Sequence, residues 1–83
     1  MNMDSDIKTL EPLPDHKLEV ELTNGRRGMF DLRPHLHLPA LAALRQPAYF
    51  NQVSVFYGAA TWPGGEDIAP ATLAAELQAP HPA

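Results

Sequence analysis

The run His16–Leu32, HKLEVELTNGRRGMFDL, decides the fold. Leu18, Val20 and Leu22 alternate with Lys17, Glu19 and Glu21, which predicts a strand over His16–Thr23 with one buried and one wet face. Arg27–Leu32 reads as a second strand, and Asn24-Gly25 between them makes the pair a hairpin. Two registers compete. A two-residue turn at Asn24-Gly25 pairs Leu22 with Arg27, Val20 with Met29 and Leu18 with Asp31, which mixes charge into the apolar face. A three-residue loop, Thr23-Asn24-Gly25, pairs Leu22 with Arg26, Val20 with Gly28 and Leu18 with Phe30. It also sets Gly25 at the left-handed position of a bulged turn. The second register keeps Leu18, Val20 and Phe30 on one face and is the one expected.

Upstream, Ile7–Leu13 ends in Pro12 and Pro14, which donate no ladder hydrogen bond, so this stretch reads as a short edge strand. Downstream, Pro34, Pro39 and Pro47 open short leucine- and alanine-rich stretches, as first helical turns allow. Two short helices are expected, Pro39–Leu44 presenting Leu41 and Leu44, and Pro47–Asn51 presenting Tyr49 and Phe50. Val53–Tyr57 returns to alternation. A glycine-first turn at Gly58-Ala59 would pair Tyr57 with Ala60 and Val55 with Trp62, placing Val53, Val55 and Trp62 on the core face and Phe56 on the opposite one. Gly64-Gly65 turns the chain again, Ile68 anchors it, and Pro70–Gln78 forms a terminal helix through Leu73 and Leu77. Ala69 then occupies the N-cap without a side-chain oxygen. The predicted fold is α+β: a small antiparallel sheet of hairpins, short helices in the middle and a C-terminal helix. Leu18, Val20, Phe30, Val55, Trp62, Ile68, Leu73 and Leu77 are expected to form one core.

The 83 residues allow one domain, predicted over residues 7–78 between a mobile arm at Met1–Asp6 and a mobile tail at Ala79–Ala83. Ten acidic against six basic residues give a net charge of −4, so there is no general attraction to nucleic acid or anionic lipid. No stretch approaches the roughly 20 apolar residues of a membrane span, and the opening MNMDSD is acidic, unlike a signal peptide. A cytoplasmic location is expected. The chain has no cysteine, which agrees with that location and removes disulfides, thiol catalysis and cysteine-bearing zinc sites.

The hairpin from Leu18, the sequence Phe30-Asp31-Leu32, Phe50 before Val53-Ser54-Val55, and the ending WPGGEDIAPATL together resemble a bacterial family, domain of unknown function 2442. The likeness spans about Ile7 to Leu77, and Trp62-Pro63 through Leu73 is its most specific part. It implies an α+β fold with an antiparallel sheet and no established activity or catalytic residue. Some relatives continue into a C-terminal helix-turn-helix domain, whereas this sequence ends at Ala83, which weighs against a direct DNA-reading role. Gly64 stands where the family tends to have asparagine, and Ala69 where an acidic residue is common.

Chemistry-bearing groups are few. His35 and His37 flank Leu36 near Asp31, and imidazoles two apart in extended chain can share a metal, but a stable centre needs three or four ligands. Two solvated loop histidines are the simpler reading, so no metal or other cofactor is expected, and His16 beside Asp15 reads as part of a turn. Ser5, Ser54 and the threonines lack a nucleophile elbow or a positioned base. Asp4 with Asp6 and Glu66 with Asp67 could supply acid and base, but they read as solubility and turn residues. Gly64-Gly65 lacks the lysine and glycine spacing of a phosphate loop. Arg26 and Arg27 mark a hairpin tip near Lys17 and Arg33, interleaved with Glu19, Glu21 and Asp31, which reads as a solvated surface.

These observations predict a small binding or regulatory module that acts through a protein partner, without catalytic residues and as a monomer or weak homo-oligomer. Arg26, Arg27 and Phe56 are the candidate partner-binding residues. An alternative is a nucleic-acid-binding accessory using the Arg26-Arg27 hairpin, and a third is an enzyme with unrecognised acid and base groups.

Overall fold

Thr23-Asn24-Gly25 closes the first hairpin with the expected three-residue loop. The Leu22 amide donates to the Arg26 carbonyl at 2.8 Å, the Gly25 amide donates back to Leu22 at 3.0 Å, and Gly25 sits at φ 92°. Only glycine enters that region without steric cost. The computed structural model describes residues 6–78, so the expected mobility of the two ends lies outside the described residues, apart from Asp6. Strands β1 (Ile7–Leu13), β2 (Lys17–Leu22) and β3 (Arg27–Asp31) form an antiparallel sheet in that order. Leu18 lies opposite Phe30 and Val20 opposite Gly28, as the hydrophobic alternation requires. β1 is the edge strand, with Leu10 opposite Val20 and Pro12 opposite Leu18.

The middle of the chain is helical in short pieces, each opened by a proline. A 3-10 helix over Pro39–Arg45 buries Leu41 and Leu44, and α1 (Pro47–Phe50) buries Phe50. A second antiparallel sheet follows in the order β4 (Ser54–Phe56), β5 (Ala59–Thr61) and β6 (Asp67–Ile68). The loop between β5 and β6 repeats the chemistry of the first hairpin. Trp62 donates to Glu66 at 2.9 Å, Gly65 donates to Trp62 at 2.9 Å, and Gly65 has φ 97°. Helix α2 (Pro70–Ala75) then lays Leu73 into the interior. The fold is α+β, with two small sheets packed on one hydrophobic cluster.

That cluster draws Leu18, Val20 and Leu22 from β2, Phe30 from β3, and Ala60, Trp62 and Ile68 from the region of the second sheet. Trp62 is 2% exposed, and its indole N–H donates to the Phe50 carbonyl at 2.9 Å, so its polar atom is satisfied inside the core. The Phe50 ring stands 6.1 Å from the Trp62 ring and 5.1 Å from that of His16. These contacts tie the helical middle to both sheets.

Three expectations need correction. The β4–β5 turn is Tyr57-Gly58, not Gly58-Ala59: Val55 pairs with Ala60 and Phe56 with Ala59, while Tyr57 and Gly58 have φ 51° and 78°. Both turn residues are left-handed, the geometry whose twist matches the strands, and a tyrosine rarely adopts it. Since the sum of paired residue numbers falls by two, each side chain keeps its predicted face, and Phe56 still lies opposite Val55. Val55 itself is not core. In the row Val55, Ala60, Ile68 across the sheet, exposure runs 38%, 0% and 7%, so the core covers this face at β5 and β6 and falls off at β4. Finally, α2 ends at Ala75 rather than Gln78. Gln78 instead bridges the free edge of β3, donating to the Met29 carbonyl at 2.8 Å and accepting from the Met29 amide at 2.9 Å. The two ladder bonds to Met29 satisfy the Gln78 amide and carbonyl in place of a further helical turn. Leu77, beyond the helix, packs partly buried against the core. Gly28 makes the bridge possible, since a Cβ there would collide with the Gln78 carbonyl oxygen.

Candidate partner-binding surface

The β4–β5 hairpin carries the largest exposed apolar groups described. Phe56 is 59% and Tyr57 90% exposed, with Val55 beside them. The two rings meet edge to face, with centroids 4.5 Å apart and planes at 67°. Phe56 points out because the core face of β4 is taken by Val55, and Tyr57 because the turn lifts it clear of both strands. Sequence reasoning placed Phe56 on the outward face and did not single out Tyr57. The residue type gave no signal, since a two-residue turn favours Asn, Asp or Gly at the position that Tyr57 holds.

Gly58 fixes this hairpin to the rest of the molecule. Its carbonyl accepts the Ile7 amide at 2.9 Å, and a Cβ on Gly58 would lie 2.6 Å from the Asp6 carboxyl carbon. The Asp6 carbonyl in turn accepts the Thr23 amide at 2.8 Å. The two hairpin tips therefore flank Asp6-Ile7 at one end of the fold, which brings the Arg26-Arg27 and Phe56 elements to neighbouring positions. The arginines are not equivalent. Arg26 turns its guanidinium to the Ala74 carbonyl of α2 at 3.4 Å, while its amide donates to Asn24 Oδ1 at 2.8 Å. Arg27 lies exposed on the outer face of the first sheet, opposite Glu21. That face holds a shallow depression of ≈460 Å³ in which Glu11, Glu19 and Glu21 interleave with Arg27, so no basic patch forms.

Arg33 is paired as well. Its guanidinium Nη2 donates to Asp31 Oδ2 at 2.8 Å and its backbone amide to Asp31 Oδ1 at 3.0 Å. The Arg33 side-chain bond lowers the Asp31 carboxyl from its ordinary value, outweighing the opposing effect of burial. The histidines are occupied separately. His35 stacks on Phe30 with centroids 5.6 Å apart and donates from Nε2 to Glu76 Oε1 at 2.8 Å; His37 donates from Nδ1 to the Pro34 carbonyl at 2.9 Å. His16 donates from Nε2 to the Arg45 carbonyl at 3.2 Å. Among the described residues no group of three or more His, Cys, Asp or Glu side chains is placed to hold a metal ion. No described helix is long and apolar enough to cross a membrane.

One polar cluster escaped sequence reasoning. The half-buried Tyr49 hydroxyl donates to Glu66 Oε1 at 2.6 Å and accepts the Gly64 amide at 2.6 Å, which clamps the β5–β6 loop to α1. The bond to Glu66 raises the Tyr49 pKa above its usual value. With Glu66 so engaged, Asp67 is left as an exposed carboxylate on the outward face of the second sheet, in the row Ser54, Thr61, Asp67.

Residues 7–79 match the family described as protein of unknown function (DUF2442), and the chain belongs to that family. No match was found among the curated proteins or among the solved structures.

Proposed function

We propose that this protein is a small binding or regulatory module that works in the cytoplasm by holding a protein partner on its β4–β5 hairpin, and not by chemistry of its own. The observation that carries the reading is the exposed Phe56-Tyr57 pair. Two adjacent aromatics in mutual contact, outside any core, form the kind of anchor that protein interfaces favour and that a solvated surface has no use for. The backbone supports the same reading. A tyrosine at φ 51° carries a left-handed strain of roughly 1–2 kcal/mol that Asn or Gly would relieve, and such strain persists where a side chain must be displayed. Anchoring of Gly58 by Ile7 and Asp6 makes the display rigid, which lowers the ordering cost of binding.

Affinity capture with the full chain as bait tests the proposal. Phe56→Ser is expected to lose the partner, and the double variant His35→Ala/His37→Ala to keep it. Retention by Phe56→Ser, or loss only in the histidine variant, would refute the reading.

A further inference from the structure

We infer that a protein partner adds an extended segment to the outer edge of β6, with a lysine or arginine opposite Asp67 and an apolar side chain beside it in a slot that opens onto the core. This goes beyond the hairpin reading, since it uses the opposite edge of the second sheet. Ladder alternation sets which groups that edge offers. Trp62 and Glu66 form a hydrogen-bonded pair, so Thr61 and Asp67 form the next, non-bonded one, and Ala60 and Ile68 are bonded again. Asp67 therefore directs its N–H and C=O away from β5, the only sheet neighbour of β6. Among the described residues neither group has a partner, and nor has the Ala69 amide just beyond Ile68. Elsewhere the edges are engaged: the Ile7 amide bonds the Gly58 carbonyl where β1 meets the β4–β5 hairpin, and Gln78 bridges β3.

Beside this edge the core is open. Leu41 and Ile68, at 8% and 7% the most exposed members of the buried cluster, line a slot of ≈170 Å³ together with Phe30, His35, Leu38 and Thr72. Pockets for drug-sized ligands hold roughly 300–1,000 Å³, so this one has room for a single side chain. Antiparallel addition, the pattern of both sheets, fixes the order of residues in the segment. The residue bonded to Asp67 shares its face and extends the outward row Ser54, Thr61, Asp67, while the residue before it lies opposite Ile68, over the slot. Asp67 is exposed and unpaired, whereas its neighbour Glu66 is held by Tyr49. A cation directly across from Asp67 is therefore attracted and an acidic residue repelled. The expected contact is an apolar residue followed by lysine or arginine. A second copy of this chain fits less well, because β6 paired with β6 would set Asp67 opposite Asp67. Backbone bonds supply part of the affinity in strand addition, so the short edge suffices for a weak, specific contact.

Amide NMR of the isotope-labelled full chain, titrated at physiological salt with a blocked eight-residue peptide of alternating arginine and valine, tests the inference. The peptide should shift the Asp67, Ile68 and Ala69 amides saturably and slow hydrogen exchange at Asp67. Two control peptides replace arginine by glutamate, or carry N-methylated arginines that keep the charge but cannot donate to the Asp67 carbonyl. The glutamate peptide should be silent, and the methylated one should bind at least about ten-fold more weakly. Asp67→Asn should weaken binding about two- to five-fold, and Asp67→Lys should reverse the preference in favour of the glutamate peptide. Phe56→Ser should leave the shifts unchanged. Capture of the natural partner depends on Phe56 and the peptide shifts on Asp67, so either reading can fail without the other. Absence of shifts at residues 67–69, equal binding of either control peptide, or shifts that follow protein concentration alone would overturn the inference, the last assigning the edge to a second copy.

Discussion

Replacing Ala69 by aspartate should stabilise the fold, and its size can be worked from the start of α2. Ala69 has φ −62° and ψ 142°, the extended geometry of an N-cap, with no side-chain bond and Pro70 at the first helical position. The first helical bond is Leu73 N–H to the Ala69 carbonyl at 3.1 Å. Pro70 has no N–H, so the amides of Ala71 and Thr72 are the donors left over, rather than those of Thr72 and Leu73. Ala69 is exposed, and a carboxylate there can reach either amide without burial. A cap of this kind contributes about 0.5–2 kcal/mol. The nearby Asp67 and Glu66 oppose the added charge, so the lower half, about 0.5–1 kcal/mol, is expected once like-charge repulsion is subtracted. For a domain of this size that raises Tm by about 2–8 °C. The helix end should lower the pKa of the new carboxyl in the folded state. Its contribution is then complete above the unfolded value near about 4 and is lost as pH falls through the lowered folded value. Ala69→Asn retains the hydrogen bond without the charge and should keep its gain in acid. Thermal melts of the three proteins at neutral and acidic pH provide the assay. An unchanged or lower Tm for Ala69→Asp at neutral pH would show that α2 does not begin at Pro70.

Tyr57→Asn should raise stability by about 0.5 kcal/mol, since relief of left-handed strain outweighs the lost ring contact with Phe56; denaturant midpoints would read the gain, and partner capture should fall. Gly28→Ala should cost about 1–3 kcal/mol by overpacking, because its Cβ meets the Gln78 carbonyl, and hydrogen exchange should find the Gln78 amide unprotected. Asp31→Asn should destabilise by about 0.5–1 kcal/mol at neutral pH, with Arg33 half exposed. The Asp31 pKa is lowered on folding, so that stabilisation is present above the unfolded value and disappears as pH falls through the folded one; melts of both proteins should converge in acid.

Local chemistry made much of the fold legible. Gly25 admitted only one register with a clean apolar face, and prolines at 39, 47 and 70 marked where short helices start. Val55 was misplaced because alternation reports a face and not a position in the sheet: it shares the face of Ala60 and Trp62 but lies beyond the packed centre. The turn at Tyr57-Gly58 was missed because tyrosine is a poor left-handed residue, so the sequence favoured glycine first. Gln78 looked helical since nothing local reveals that the edge of β3 is free to bind it. For the candidate site, Phe56 could be found from parity alone, whereas Tyr57 required the true turn. The nearness of the Arg26 and Phe56 hairpins came from Asp6, whose bonds to Thr23 and contact with Gly58 are tertiary and leave no periodic trace.

Photo-crosslinking from position 57 tests the central claim most directly. Tyr57 would be replaced by a benzophenone-bearing phenylalanine analogue in the full chain, and Ala43, exposed on the 3-10 helix, would serve as the control position. The account predicts one discrete heterologous protein adduct from position 57, absent from position 43 and suppressed by Phe56→Ser. Equal labelling from both positions, or none from position 57, would contradict it.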